Sequence, residues 1–242
     1  MLADTLKEIA GKRLVDTDGD VTVLELLPPA TDAQTRALEA ALPGPLPDEI
    51  RAALAVSTGL ANGPLESFSI LDLEGFGLDE AFPHPYSIAH DGYGNYWVLD
   101  VLPDSTDWGP VFYACHDPAV IAYQAPSIDA FLRDVVAMPI DDPKSRIDEV
   151  HDKVVHGLWS DSSSLMTQST AASSSDAILR EFASTLTPDA LIADLREPSI
   201  GSGFAWGKFG PRTTIQRFGT HRLWAITKPP AKPGLLSRLF VR

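Results

Sequence analysis

The chain has 242 residues, 44% of them hydrophobic, one cysteine and a formal net charge of −14 at pH 7. One cysteine rules out an internal disulfide framework, and no apolar run approaches the roughly 18 residues that a membrane span needs. Residues 1–140 hold 22 acidic against 6 basic side chains, whereas 196–242 hold 9 basic against one acidic; this polarity argues against nucleic-acid binding by the N-terminal part and favours a basic partner, an internal match with the C-terminal segment, or an acidic surface that serves solubility.

In chain order, Leu2 to Ala10 reads as a short helix without the apolar h-region of a cleaved signal, and Val21 to Leu27 as an early strand. Between them, Asp16-Thr17-Asp18-Gly19-Asp20 has a passing likeness to a calcium loop. Such a loop needs a Gly and a distal Glu at fixed spacing, and Gly19 is misplaced, so a turn is predicted. Thr31-Asp32-Ala33-Gln34 opens a helix as a capping box, and Pro43-Gly44-Pro45 stops it. Leu46-Pro47-Asp48-Glu49-Ile50 opens the next, with Pro47 near the first turn and acids at the positive end of the helix dipole. Gly59 suits the C′ position. After the Asn62-Gly63-Pro64 turn, Glu66 to Leu71 reads as a strand. The loop before Pro85 sets Phe76 and Phe82 among acids, an arrangement that suits partner anchoring; Phe82 is expected to tuck under the sheet.

Tyr86 to Val136 is the most readable stretch. Ser87 to His90 and Asn95 to Leu102 are β-rich runs around Asp91-Gly92-Tyr93-Gly94, the signature of a tight hairpin. Val111 to Cys115 and Ala119 to Gln124 repeat the pattern around His116-Asp117-Pro118. Ser127 stands at an N-cap, and Ile128, Phe131, Leu132, Val135 and Val136 follow at helical spacing. In 95–102 apolar residues fall on both faces, with Trp97, Leu99 and Val101 on one and Tyr96, Val98 and Leu102 on the other. A half-solvated sheet would alternate, so the rest of the chain is expected to cover the second face.

The paired helices with their Leu-Pro-Asp-Glu opening, the Asn-Gly turn, the hairpin from Ile88 to Tyr96, the Gly109-Pro110-Val111-Phe112 strand and the Ser127 helix resemble the SUKH superfamily, the Smi/Knr type, over roughly residues 30–138. The resemblance implies an α+β fold with a single antiparallel sheet backed by helices. It also implies a non-enzymatic protein-binding module. Many bacterial members resemble immunity proteins that block toxin domains, often nucleases; the fungal type regulates cell-wall synthesis. No catalytic residues carry over.

The expected organisation is an N-terminal segment (1–29), a SUKH-like domain (30–140) and an α+β C-terminal extension (141–242) packed on it. In the extension, Asp142-Pro143 reads as a helix start with a stripe of Ile147, Val150, His151, Val154, Val155 and Leu158. A Ser-rich linker is expected at 160–176, then a helix through Phe182, a strand from Ala190 to Leu195, a hairpin around Gly219-Thr220 and a basic tail.

Chemistry-bearing residues do not assemble in the sequence. His84, His90, Asp91, Asp100, His116 and Asp117 lack zinc-ligand spacing, and the His-Asp pairs sit at hairpin ends where Asp serves the turn. His151, Asp152 and His156 suit a helix surface. Gly201-Ser202-Gly203 lacks a P-loop lysine. Gly203 to Arg212 interleaves aromatics with cations in the manner of single-strand nucleic-acid binders, but a packed loop is the simpler reading. Cys115 is expected to be a buried structural thiol.

The expectation is therefore a cytoplasmic protein with no catalytic residue, cofactor or metal. It would bind a basic protein partner, such as a toxin domain, and neither nucleic acid nor membrane. The candidate contacts are Glu74, Phe76, Asp79 and Glu80 in one loop with Asp104, Asp107 and Trp108 in another. A regulatory scaffold and an uncharacterised enzyme are the alternatives.

Overall fold

The computed structural model describes residues 1–16, 18–71, 77–103, 108–139 and 145–229. Helix α1 (Leu2–Ile9) buries Leu2, Leu6 and Ile9, one stripe at helical spacing. A hairpin of β1 (Arg13–Val15) and β2 (Val21–Val23) follows. The Asp16 carboxylate accepts from the Asp18 and Asp20 amides at 3.0 and 2.9 Å, so this aspartate is the turn itself. Next come β3 (Glu25–Leu26), α2 (Asp32–Ala41) with the full Thr31–Gln34 capping box, and α3 (Asp48–Leu54).

The meander then runs through β4 (Gly59–Asn62), β5 (Ser67–Ser69), β6 (Pro85–His90), β7 (Tyr96–Asp100), β8 (Val111–His116) and β9 (Ala119–Ala125). Helix α4 (Ile128–Ala137), capped by Ser127, returns across it. Gly59 belongs to β4 and does not end α3: a Cβ there would lie 2.2 Å from the Phe68 carbonyl oxygen, so close approach to β5 is what the site requires.

In the remainder, α5 begins at Ser145 as N-cap and runs as α-helical Arg146–Glu149, π-helical Val150–Val154 and α-helical Val155–Ser160. The predicted start at Asp142-Pro143 lies outside the described residues. Strand β10 (Met166–Thr167), α6 (Gln168–Ala172), α7 (Ala177–Ser184), β11 (Leu191–Asp194), β12 (Gly203–Phe204), β13 (Thr214–Arg217) and β14 (Leu223–Thr227) complete the chain. The expected Ser-rich linker is therefore structured. Its polar side chains act as caps: Thr167 accepts from the Thr170 amide, and Asp176 from those of Ile178 and Leu179.

The strands form an eight-stranded antiparallel sheet in the order β12-β9-β8-β7-β6-β5-β4-β3, and a four-stranded sheet in the order β10-β11-β14-β13. The extension thus adds β12 to the free edge of β9. Along β8 the side chains alternate between two cores. Val111, Tyr113 and Cys115 join the helix-side cluster with Trp97, Leu99 and Phe131. Phe112 and Ala114 join Phe82, Val98, Phe204, Trp224 and Ile226 beneath the second sheet. The fold is α+β: the extension's four-stranded sheet packs on the face the helices leave free, as the double apolar pattern of 95–102 required, while its α5 joins the helix-side core.

One polar contact fastens the two sheets. Asp100, 1% exposed at the end of β7, takes two hydrogen bonds from the Arg217 guanidinium at 2.5 and 3.0 Å and one from Arg222 Nε at 2.8 Å. The Arg217 side chain is 3% exposed, and its guanidinium lies 5.0 Å from the centre of the Trp224 ring. The Trp224 indole donates to the Ala81 carbonyl at 2.7 Å. Removing one member of a buried charged pair leaves the other uncompensated, a cost of about 3–5 kcal/mol. Asp100→Ala is expected to lower unfolding stability by about that amount in urea titrations; a loss below about 1 kcal/mol, the value of an exposed pair, would show that solvent screens the contact.

Candidate functional site

Register places the candidate loops together. Pro85 pairs with Asp100, Leu99 with Val111, and Val111 with Ala125. The segments before β6, between β7 and β8, and after β9 therefore leave the same end of the sheet. The turn between α2 and α3 comes to this end as well. A Cβ on Gly44 would lie 2.3 Å from the Pro103 carbonyl oxygen, which makes a residue without a side chain necessary there, and the Tyr86 hydroxyl donates to the Ala41 carbonyl at 3.0 Å.

Between these loops and the first turns of α1, α3 and α4 lies a groove of about 670 Å³. Leu2, Leu46, Ile50, Trp108 and Ile128 give it an apolar floor; Asp48, Glu49 and Asp129 stand on its rim. Helix periodicity buries Ile50 and Ile128 on the core side of their helices. The acids sit in the first turns, where unsatisfied amides and the helix dipole favour negative charge.

Two of the three carboxylates are engaged. Glu49 accepts from the Leu2 amide at 2.9 Å. Asp129 accepts from the Thr5 hydroxyl at 2.5 Å and from Arg133 Nε at 3.2 Å. Burial works to raise the Asp129 pKa, but these hydrogen bonds and the Arg133 charge outweigh it and hold the carboxyl below its usual range. Asp48 is exposed, and its side chain has no partner among the described residues.

Asp79 and Glu80 are exposed at this end, just ahead of the buried Ala81 and Phe82. Phe82 tucks under the sheet as expected, 5.4 Å from Phe112 between ring centres. Glu74, Phe76, Asp104 and Asp107 lie outside the described residues. Trp108 is placed differently from a surface anchor: it is 7% exposed and stacks on Tyr86 at 6.4 Å with planes 11° apart. Its indole N–H has no acceptor among the described residues. The floor residues Leu46, Ile50 and Ile128 read in the sequence only as helix stripes. No local signal tells that three helix starts and Trp108 meet.

The other singled-out groups serve structure. His90 Nδ1 accepts from the Gly92 amide at 3.2 Å, and Asp91 takes the Tyr93 and Asn95 amides and the Asn95 side chain. His116 Nδ1 lies 3.1 Å from Asn95 Oδ1. Cys115 is buried, and desolvation pushes its thiol pKa up, away from nucleophilic character. Asp100 is the sheet-fastening carboxylate described above. Among the described residues no group of three or more His, Cys, Asp or Glu side chains could hold a metal ion. Trp206 donates to the Cys115 carbonyl, and Lys208 to that of Trp159, so in the aromatic-cationic stretch these two side chains hydrogen-bond to the protein's own backbone. No helix among the described residues is long and apolar enough to cross a membrane.

These features define an α+β domain built on a meander sheet, its loops gathered around one groove. Residues 29–134 match the family model of the SMI1 / KNR4 family (SUKH-1), which makes that stretch a domain of the SUKH superfamily. At the level of the family the domain is a non-catalytic immunity or regulatory module. No curated protein and no solved structure matches the chain.

Because the folded Asp129 pKa lies below its unfolded value, ionised Asp129 stabilises the fold above the unfolded pKa, and this contribution is lost as pH falls through the folded one. Thr5→Val is expected to raise the Asp129 pKa in carboxyl-detected NMR titrations and to reduce the stability lost on acidification below the ordinary carboxylate range. An unchanged Asp129 titration would remove the Thr5 bond from the account.

Proposed function

We propose that the protein is a non-enzymatic immunity protein that binds a basic toxin domain in the cytoplasm through the acidic loop end of its sheet. The observation that carries this reading is where the chain leaves surface free. The extension takes up the sheet's outer face and the edge of β9, and its Arg217 and Arg222 answer Asp100. The loop end keeps exposed carboxylates at Asp48, Glu49, Asp79 and Glu80. By sequence the adjoining loops add Glu74, Asp104 and Asp107, with Phe76 as an aromatic contact.

Mechanism follows from electrostatics. A surface of one sign attracts an oppositely charged domain and raises its association rate, while complementary contacts fix the orientation. Neutralisation of the toxin is then occlusion: a standard interface covers about 800 Å² on each partner, enough to close an active-site mouth.

Capture from the native host at low and high salt, followed by mass spectrometry, tests the reading. The expected product is a basic, toxin-like domain encoded beside this protein's own coding region. Double replacement Asp79→Lys with Glu80→Lys is expected to slow its association about tenfold at low salt, with a smaller effect at high salt. Recovery of no protein at any salt would overturn the proposal. A resident housekeeping protein as the sole product would replace it with the regulatory-scaffold reading.

A further inference from the structure

The groove's chemistry narrows what it can hold. Helix starts alone favour anions, but here the carboxylates of Asp48, Glu49 and Asp129 stand on the rim, and no Lys or Arg side chain among the described residues lines it. Asp48 is left with an unmatched negative charge among the described residues. Trp108 lies in the floor, its indole N–H sealed from solvent and without an acceptor among the described residues. Arg133 answers Asp129, so what the groove offers is an apolar floor beside one carboxylate, Asp48, that no cation pairs with among the described residues. Its volume falls in the range that encloses ligand groups.

We infer that the groove is the anchor site for a basic and apolar segment of the protein partner, an inference that rests on the binding role proposed above. An arginine or lysine lays its aliphatic stem along Leu46 and Ile50 and brings its charge to Asp48, the way long cationic side chains cover apolar surface while keeping the head in water. A neighbouring apolar side chain fills the floor against Ile128 and Leu2.

The chain's own residues 230–242 carry Lys232, Arg238 and Arg242 with no acid, so charge alone would admit them. Distance argues for an outside partner. The last described residues leave β14 at the other end of the sheet, where Lys228 lies 5.4 Å from the Phe209 ring and the Gly207 amide bonds to Ala119 beside the β8–β9 turn. Thirteen residues reach at most about 45 Å when fully extended, and they would have to round the molecule to its helix side.

The full chain labelled at its five tryptophan indoles tests the site by NMR, with signals assigned by single Trp→Phe replacements. The probes are the capped tetrapeptides Leu-Arg-Leu-Pro and Leu-Glu-Leu-Pro. The arginine peptide is expected to move the Trp108 indole signal and leave those of Trp97 and Trp224 in place. Asp48→Lys is expected to weaken that peptide about tenfold, a change of about 1.4 kcal/mol.

Equal response to both peptides, or silence at Trp108, would overturn the inference. A Trp108 signal displaced by truncation after Pro229, with no peptide present, would make the tail the occupant and overturn it as well. The two readings fail separately. A native partner held as tightly by the Asp48→Lys chain overturns the groove and leaves the immunity reading. Failure to capture any partner, with the arginine peptide still bound, overturns the immunity reading and leaves the groove.

Discussion

A sheet with two apolar faces is the constraint from which the rest of the molecule follows. Trp97, Tyr113 and Val120 on one side and Val98, Phe112 and Ile121 on the other are all fully buried, so both faces must be covered by protein. Burying an aromatic or branched side chain yields about 1.5–3 kcal/mol, and no helix layer can cover both sides of one sheet at once. The helices α1, α3, α4 and α5 take the first face; the four-stranded sheet takes the second. Asp100 with its arginines then fixes how the second layer sits, because a buried carboxylate tolerates only an arrangement that keeps it paired.

This division of surfaces decides where recognition can occur. The outer face is core, and the edge of β9 is covered by β12, which leaves only a two-residue strand at that edge of the sheet. Among the surfaces that stay open is the end of the sheet from which the connecting loops depart. Loops on a rigid scaffold are where binding residues concentrate, and here the scaffold is held on both sides. The charge asymmetry of the sequence has two destinations as well. Part of the positive C-terminal segment is spent internally on Asp100, and the carboxylates of α3 and of the loops before β6 are left facing outward.

Much of the fold was legible because its signals are local. The Thr31 capping box, the Ser127 N-cap, the Asp91-Gly92 turn and the alternation in Val111 to Cys115 each depend on a few consecutive residues, and each has its expected place. Even the covering of the second face could be inferred from 95–102, since burial leaves its mark on each strand. The Ser-rich stretch misled because hydroxyl side chains suit caps as well as linkers, and only pairing of Met166 and Thr167 with β11 separates the two. Gly59 misled because a close strand approach and a helix terminus both call for glycine. Asp100 looked like raw material for catalysis, since its partners lie more than one hundred residues away. The groove was legible only in its parts: the acids at Asp48 and Glu49 could be read, but that they share a hollow with Trp108 is a fact of tertiary packing.

The most direct test of the account is hydrogen exchange on the full chain with and without its captured partner. The account predicts new protection confined to the loop end, in residues 42–50, 77–84, 101–110 and 126–129, with exchange in β13, β14 and α5 unchanged. Protection centred on the four-stranded sheet or on α5 would contradict it, because the partner would then be recognised by the very layer assigned here to closing the core.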